Sequence, residues 1–249
     1  RDLRMSRGLG DVYKRQIVNG DDDKLSTISQ VHGKRPLVFG ISNKDGVYAD
    51  NIKSLGLDGT SFTIHGIKTS DNYSTFDLTV PVPGHHMVYN AMAAALVGSV
   101  LGLSSIEIER GVKNLKTIAG RNNIIKENGF TIIDDCYNAN PVSMKASLDV
   151  LDTAIGRKVA ILGSMFELGE NEKQMHYDVG MYLGTKDIDV LITAGDLAAQ
   201  IAAGTRAYIY TNYNAHGCEV HDFETRDDML KCIGPVSYTH LTLPTNSLV

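Results

Sequence analysis

The sequence predicts an α/β protein of two domains, and three patterns carry that reading. Residues 35–82 hold short β-rich segments separated by Gly, Asn and Asp turn signals. From Gly84 the apolar residues fall at helical spacing. Farther on, KVAILG (158–163) and DVLITAG (189–195) are continuous apolar runs of the kind buried in parallel sheets, with a helical pattern between them. Strand, helix and parallel strand in that order make a βαβ unit.

The elements follow in order. PLVFGIS (36–42), GVYADNIKSL (46–55), TSFTIHGI (60–67) and STFDLTVPV (74–82) read as strands. Val88, Met92, Ala95, Leu96 and Ser99 share one face of the helix that follows. A second helix starts at Ser104 or Ser105 and carries Ile106, Ile108, Val112 and Leu115 inside. NNIIKE (122–127) and FTIIDDC (130–136) flank Asn128-Gly129, a hairpin signal. Asn140 and Pro141 supply an N-cap and a first-turn proline for a helix lined by Met144, Leu148, Leu151 and Ile155. Met175, Val179, Tyr182 and Leu183 mark the helix inside the βαβ unit. The domain boundary is placed near residue 118.

Composition narrows the class. Of 249 residues, 43% are apolar and 21% charged, as in an ordinary globular protein, and the net charge of −5 lacks the basic excess of a nucleic-acid binder. Cys136, Cys218 and Cys232 show no CxxC pair or metal-ligand spacing and read as reduced thiols. No apolar run reaches the ~18 residues of a membrane span, and a cytoplasmic location is expected.

The two ends read as foreign tails. Residues 1–16 carry five Arg or Lys and no amphipathic period, and residues 235–249 are Ser-, Thr- and Pro-rich with no Asp, Glu, Lys or Arg. The organisation expected is therefore 17–118 for the first domain and 119–234 for the second.

The segment most suggestive of chemistry is DDCYNANP, Asp134–Pro141, where an apolar strand gives way to a helix. Strand ends of open α/β sheets present polar loops to ligands, and a helix N-terminus attracts anions. Asn138 and Asn140 suit ribose or peptide groups, while a plain backbone-capping turn is an equal reading.

GFTIIDDCYNANPVSMKASLDVL, VPGHHMVYNAMAAALVG, GRNN and AILGSMFELGENEKQMHYDVG, taken in this order, resemble the Mur ligases, and the resemblance runs over about residues 17–205. It favours the branch that adds a dipeptide, because a sister branch has an Asp-Tyr-Ala-His segment where this chain has Asp135-Cys136-Tyr137-Asn138. The fold it implies is the rear part of a central ATP-binding domain followed by a Rossmann-like C-terminal domain. The implied activity is ATP-dependent joining of D-alanyl-D-alanine to a UDP-N-acetylmuramoyl-tripeptide, through an acyl phosphate, in peptidoglycan synthesis. ATP and Mg²⁺ are the implied cofactors, the metal ligands lying in a preceding part. The precursor and D-Ala-D-Ala are the implied partners of a monomer that binds no nucleic acid.

The resemblance also assigns residues. Asn90, with His86 on the same helix face, falls on the adenine side, Arg121 on the phosphates and Asp135, or second Asp134, on the ribose. Asn138, Asn140, Glu167 and His176 fall on the substrate side, while a helix-surface or packing histidine is an equal reading of His176. Three positions depart from the family: Met87, Asn123 and Ser164 stand where Asn, an acidic residue and Asp are usual. A hinge is expected near Ala119–Arg121.

No GxxxxGK[ST] phosphate loop occurs in the sequence; its Gly-Lys pair, Gly33-Lys34, lacks the upstream glycine. The chain alone is therefore expected to be inactive. The competing readings are another Mur or folylpolyglutamate-type ligase and a non-catalytic nucleotide-binding module.

Overall fold

The computed structural model describes residues 15–127 and 129–232, and the backbone of 240–243. The polypeptide divides into two compact units. The first takes in residues up to Leu55, Gly59–Pro81 and His85–Leu115; the second takes in Gly56–Asp58, Val82–Gly84 and the chain from Lys116.

The first unit is built on a five-stranded sheet in the order β1 (Ile17–Asn19), β2 (Leu37–Gly40), β3 (Val47–Ser54), β4 (Thr60–His65) and β5 (Thr75–Val80). β1–β3 run parallel, and β3–β5 pair antiparallel. The four predicted strands are all present, and β1 adds a fifth. α1 (His86–Val100) buries Val88, Ala91, Met92, Ala95 and Leu96. α2 (Ser105–Lys113) is capped by Ser104 in a reciprocal box with Glu107. Two expectations for α2 fail: Ile106 is 70% exposed, and Leu115 lies past the helix end. The burying face is Ile108 and Val112, four residues apart, and Ile106 projects away from it.

The second unit carries a six-stranded sheet in the order β10-β9-β8-β11-β7-β6. β6 (Asn123–Glu127) and β7 (Phe130–Asp134) form the predicted antiparallel hairpin. Gly129 takes the left-handed conformation (φ 82°) that such a turn needs, and Asn128 lies outside the described residues. α3 (Pro141–Asp152) follows, burying Met144, Leu148 and Leu151; Ile155 falls beyond its end and is 89% exposed. β8 (Lys158–Gly163), α4 (Glu172–Leu183) and parallel β9 (Val190–Ala194) make the βαβ unit. Every residue of β8 is buried, as a continuous apolar run requires.

α5 (Ala198–Thr211), β10 (Glu219–Phe223) and α6 (Arg226–Cys232) complete the described part before the last strand. α4 and α5 touch backbone to backbone. A Cβ at Gly180 would sit 2.0 Å from the Ile201 carbonyl oxygen, and one at Gly204 would sit 2.2 Å from that of Tyr177.

One segment differs from the sequence expectation. Within the span set aside as a tail, His240–Leu243 forms strand β11, paired in parallel with both β7 and β8. Overall composition hid it, since a Ser/Thr/Pro-rich stretch masks four residues of adequate strand propensity; in the sheet they close two edges that would otherwise be open. Residues 1–14 and 244–249, also set aside, lie outside the described residues.

Candidate functional site

The end of β7 is a knot of polar contacts drawn from two segments, 120–123 and 134–140. Asp134, the last residue of β7, accepts the Gly120 backbone N–H at 2.8 Å on one oxygen and the Cys136 thiol at 3.0 Å on the other. Asp135 accepts the Asn122 N–H at 2.9 Å, and its second oxygen accepts the Ser147 hydroxyl of α3. The Tyr137 N–H returns to the Gly120 carbonyl at 2.9 Å. Gly120 is required there, since φ is 77° and a Cβ would press within 3.3 Å of the Tyr137 side chain.

Each carboxylate oxygen has two acceptor directions, so these bonds orient Asp134 and Asp135 without using up their capacity. Burial, followed by the Asp134 carboxylate, pushes the Cys136 thiol up to about 11, which leaves it protonated and un-nucleophilic near neutral pH.

Arg121 is exposed, and its guanidinium carbon lies 4.1 Å from the centroid of the Tyr137 ring. Asn123, standing where the resemblance has an acid, accepts the Thr117 hydroxyl at 3.0 Å. Between them Asn122 adopts φ 47°, buries its side chain and donates to the Pro83 carbonyl at 2.8 Å, leaving its own side-chain oxygen buried without a partner. Asn138 is exposed on the same loop. Asn140 does another job: its side-chain oxygen accepts the Val142 and Ser143 N–H groups at 3.0 and 2.9 Å, capping α3. The capping alternative therefore describes Asn140.

A second polar loop leaves β8. Ser164 caps α5 by accepting the Ala198 N–H at 3.3 Å. Glu167 is exposed and left-handed (φ 60°), an uncommon state for a side chain of its kind. His176, expected on the substrate side, is completely buried on α4. Its Nε2 accepts the Met165 N–H at 2.8 Å, and its Nδ1 faces the Glu172 carbonyl at 2.6 Å. Both ring nitrogens are engaged, so a direct substrate contact by His176 is not what this geometry supplies.

In the first unit, His86 and Asn90 are exposed at the start of α1. The Asn90 amide donates to the Met87 sulfur at 3.4 Å, so the Met at the departing position does meet Asn90. One turn away lies a tie that the sequence did not disclose. Asp21 accepts the Ile41, Ser42 and Asn43 N–H groups at 2.6, 3.1 and 2.6 Å and the Tyr89 hydroxyl at 2.9 Å. Burial raises the Asp21 carboxyl, but these donors outweigh it and hold the group below the usual carboxylate range. Burial and the Asp21 bond push Tyr89 up to about 12.

Among the described residues no group of three or more His, Cys, Asp or Glu side chains is arranged to hold a metal, and no helix is long and apolar enough to cross a membrane. What these groups can do is bind: exposed Arg121 offers a permanent cation with a forked donor set, and half-buried Asp135, bonded to the Asn122 N–H, offers acceptors.

Comparison with known proteins finds matches in both units. Residues 7–98 match the Mur ligase middle domain and residues 120–237 the glutamate ligase domain of Mur ligases. The UDP-N-acetylmuramoyl-tripeptide–D-alanyl-D-alanine ligase of Bacillus subtilis (strain 168) is 36% identical over 168 residues, covering 66% of this chain and 35% of the relative. The enzyme of that name in Escherichia coli (strain K12) is 34% identical over 149 residues, covering 59% and 32%. Among solved structures, MurF from Acinetobacter baumannii superposes with a TM-score of 0.75 at 26% identity, over 92% of this chain and 48% of that one. MurF from Thermotoga maritima in complex with ADP gives 0.68 at 21% identity, over 93% and 50%, a likeness of fold. The chain thus spans about a third of the length of these curated relatives and about half of the solved ones.

Proposed function

Because the chain belongs to the Mur ligase family, we propose that it supplies the adenosine-side and acceptor-side surfaces of an ATP-dependent ligase joining D-alanyl-D-alanine to a UDP-N-acetylmuramoyl-tripeptide. The observation that carries this reading is the pairing of both Mur ligase domains, in order, with 36% identity to a UDP-N-acetylmuramoyl-tripeptide–D-alanyl-D-alanine ligase. A non-catalytic module would not account for that identity, which spans both units.

Each unit by itself carries polar groups of the kind that bind nucleotides. On the first unit we assign Asn90 and His86 to the adenine side. On the second, Arg121 is assigned to the phosphates and Asp135 to the ribose hydroxyls, with Asp134 holding the Gly120 turn beside them. ATP, when bound, supplies the phosphoryl group that activates the precursor carboxylate. The protein's part at these positions is orientation: Asp135 is fixed by Asn122 and Ser147 before any ligand arrives, which lowers the ordering cost of binding. No described residue is assigned to Mg²⁺. For the acceptor we assign Asn138 and Glu167, both exposed at the ends of parallel strands.

The test is acceptor choice. Titrating the ¹⁵N-labelled chain with D-Ala-D-Ala and, separately, with single amino acids should shift the Asn138 and Glu167 amides with the dipeptide alone. A preference for a single amino acid would place the chain in a different branch of the family.

A further inference from the structure

The β8–α4 loop follows Gly163, the last residue of β8, and enters helix at Glu172, and one buried side chain is bonded to Met165 near its start and to Glu172 at its end. The backbone N–H of Met165 can only donate and the Glu172 carbonyl can only accept. His176 must therefore be neutral, with Nε2 bare toward Met165 (2.8 Å) and the proton on Nδ1 toward Glu172 (2.6 Å). The ring is completely buried, as is the Met165 side chain. It lies on the inner face of α4 with Val179, Gly180 and Leu183.

Inside this bracket the loop does two unfavourable things. Phe166 is 46% exposed, and Glu167 is held at φ 60°, a left-handed conformation that is disfavoured for a residue with a Cβ. Such a turn persists when its surroundings over-determine it. Here the Met165 and Glu172 ends are both bonded to His176, while Leu168 packs against the core between them.

We infer that His176 is a positioning residue: its Nδ1–H tautomer brackets the β8–α4 loop so that the Glu167 carboxylate is presented, pre-ordered, to the free amino group of the incoming peptide. This rests on the acceptor-side reading above, in which Glu167 meets the acceptor, and adds His176 to it as the residue that holds Glu167 in place. A cationic amine facing a fixed carboxylate is a charge-assisted contact, and the strain at Glu167 is spent on presentation. His176 acts through Glu167 and makes no contact with the peptide.

The test uses the whole chain, D-Ala-D-Ala as the probe and two variants. His176→Gln keeps one acceptor and one donor on a side chain of similar reach; His176→Phe keeps the volume and loses both. The expected result is that D-Ala-D-Ala shifts the Phe166 and Glu167 amides in the wild type and in His176→Gln. His176→Phe should bind about tenfold more weakly, the equivalent of one hydrogen bond's net contribution. Its Met165 amide should exchange with solvent about tenfold faster or more.

Undiminished dipeptide binding with a still-protected Met165 amide in His176→Phe would overturn the inference. So would a wild-type ring whose ¹⁵N shifts show the proton on Nε2. If the wild type itself gives no response to the dipeptide, the acceptor-side reading fails and the presentation claim with it. The bracket is then decided by Met165 exchange in His176→Phe, slow exchange refuting it. Should that variant not fold, the wild-type ring shifts and the Met165 exchange of His176→Gln decide in its place, fast exchange in the latter counting against the bracket.

Discussion

The guanidinium of Arg121 rests 4.1 Å from the centre of the Tyr137 ring, and the Tyr137 N–H closes on Gly120, the residue before that arginine. Side chain and backbone thus fasten the same two segments, and the Tyr137 ring orients the Arg121 guanidinium. Tyr137 is nonetheless 62% exposed, so the contact is a weak one of about 0.5–1 kcal/mol. Tyr137→Phe should leave stability unchanged within about 0.3 kcal/mol, since the ring face is kept. Tyr137→Leu should lower stability by no more than about 1 kcal/mol while the Arg121 side-chain resonances lose their ring-current shift. Urea titrations with Arg side-chain NMR would check both, and identical Arg121 shifts in the two variants would refute the stacking.

Asn140 is a structural cap, so its substitution should act on folding. Asn140→Ala removes the acceptor of two N–H groups at the start of α3 and should cost about 1 kcal/mol, while Asn140→Asp should retain most of the stability. Urea midpoints would show it. Undiminished stability in the alanine variant would contradict the capping role.

Asp71 gives the first unit an acid-sensitive contact. Its carboxylate accepts the Ser105 hydroxyl at 2.6 Å and the Ser105 N–H at 3.0 Å at the start of α2. The Ser105 hydroxyl, and then Thr69, hold the group down at about 2 against an ordinary 3.8. A folded-state value below the unfolded one contributes stability that is fully present above pH 3.8 and lost as pH falls toward 2. The stability difference between wild type and Asp71→Asn should therefore be constant from pH 7 to about 5 and shrink below pH 4. A difference that grows on acidification would reverse the sign and refute the assignment.

The fold was legible where periodicity was clean. Strands β2–β5, the β6–β7 hairpin, α1, α3 and the βαβ unit follow from spacing and turn residues, and the cap at Asn140 follows from Asn-Pro. Ile106 and Ile155 were misplaced because apolar character does not fix which face a residue takes near a helix end. β1 is three residues long, too short for any period to show.

The site was legible by residue type and hidden in its wiring. The tie from Asp21 to Tyr89 spans 68 positions, and that from Asp135 to Ser147 spans 12. Neither is a local pattern, so spacing could not have announced them. His176 shows the same limit from the other side: its helix spacing with Val179, Gly180 and Leu183 supports the packing reading that the structure bears out, while its bond to Met165 depends on where β8 ends.

Nucleotide binding by the loop at the end of β7, as proposed above, is decided by ATP titration of the ¹⁵N-labelled chain. The Arg121, Asp135 and Asn138 amides should shift together with ATP. Asp135→Asn, which keeps an acceptor for the Asn122 N–H and turns an amide donor toward the Ser147 oxygen, whose own hydrogen can still go to the Ser143 carbonyl, should stay folded and weaken the response about tenfold, as for a lost charge-assisted bond. Shifts confined to other parts of the chain, or an undiminished response in Asp135→Asn, would contradict it.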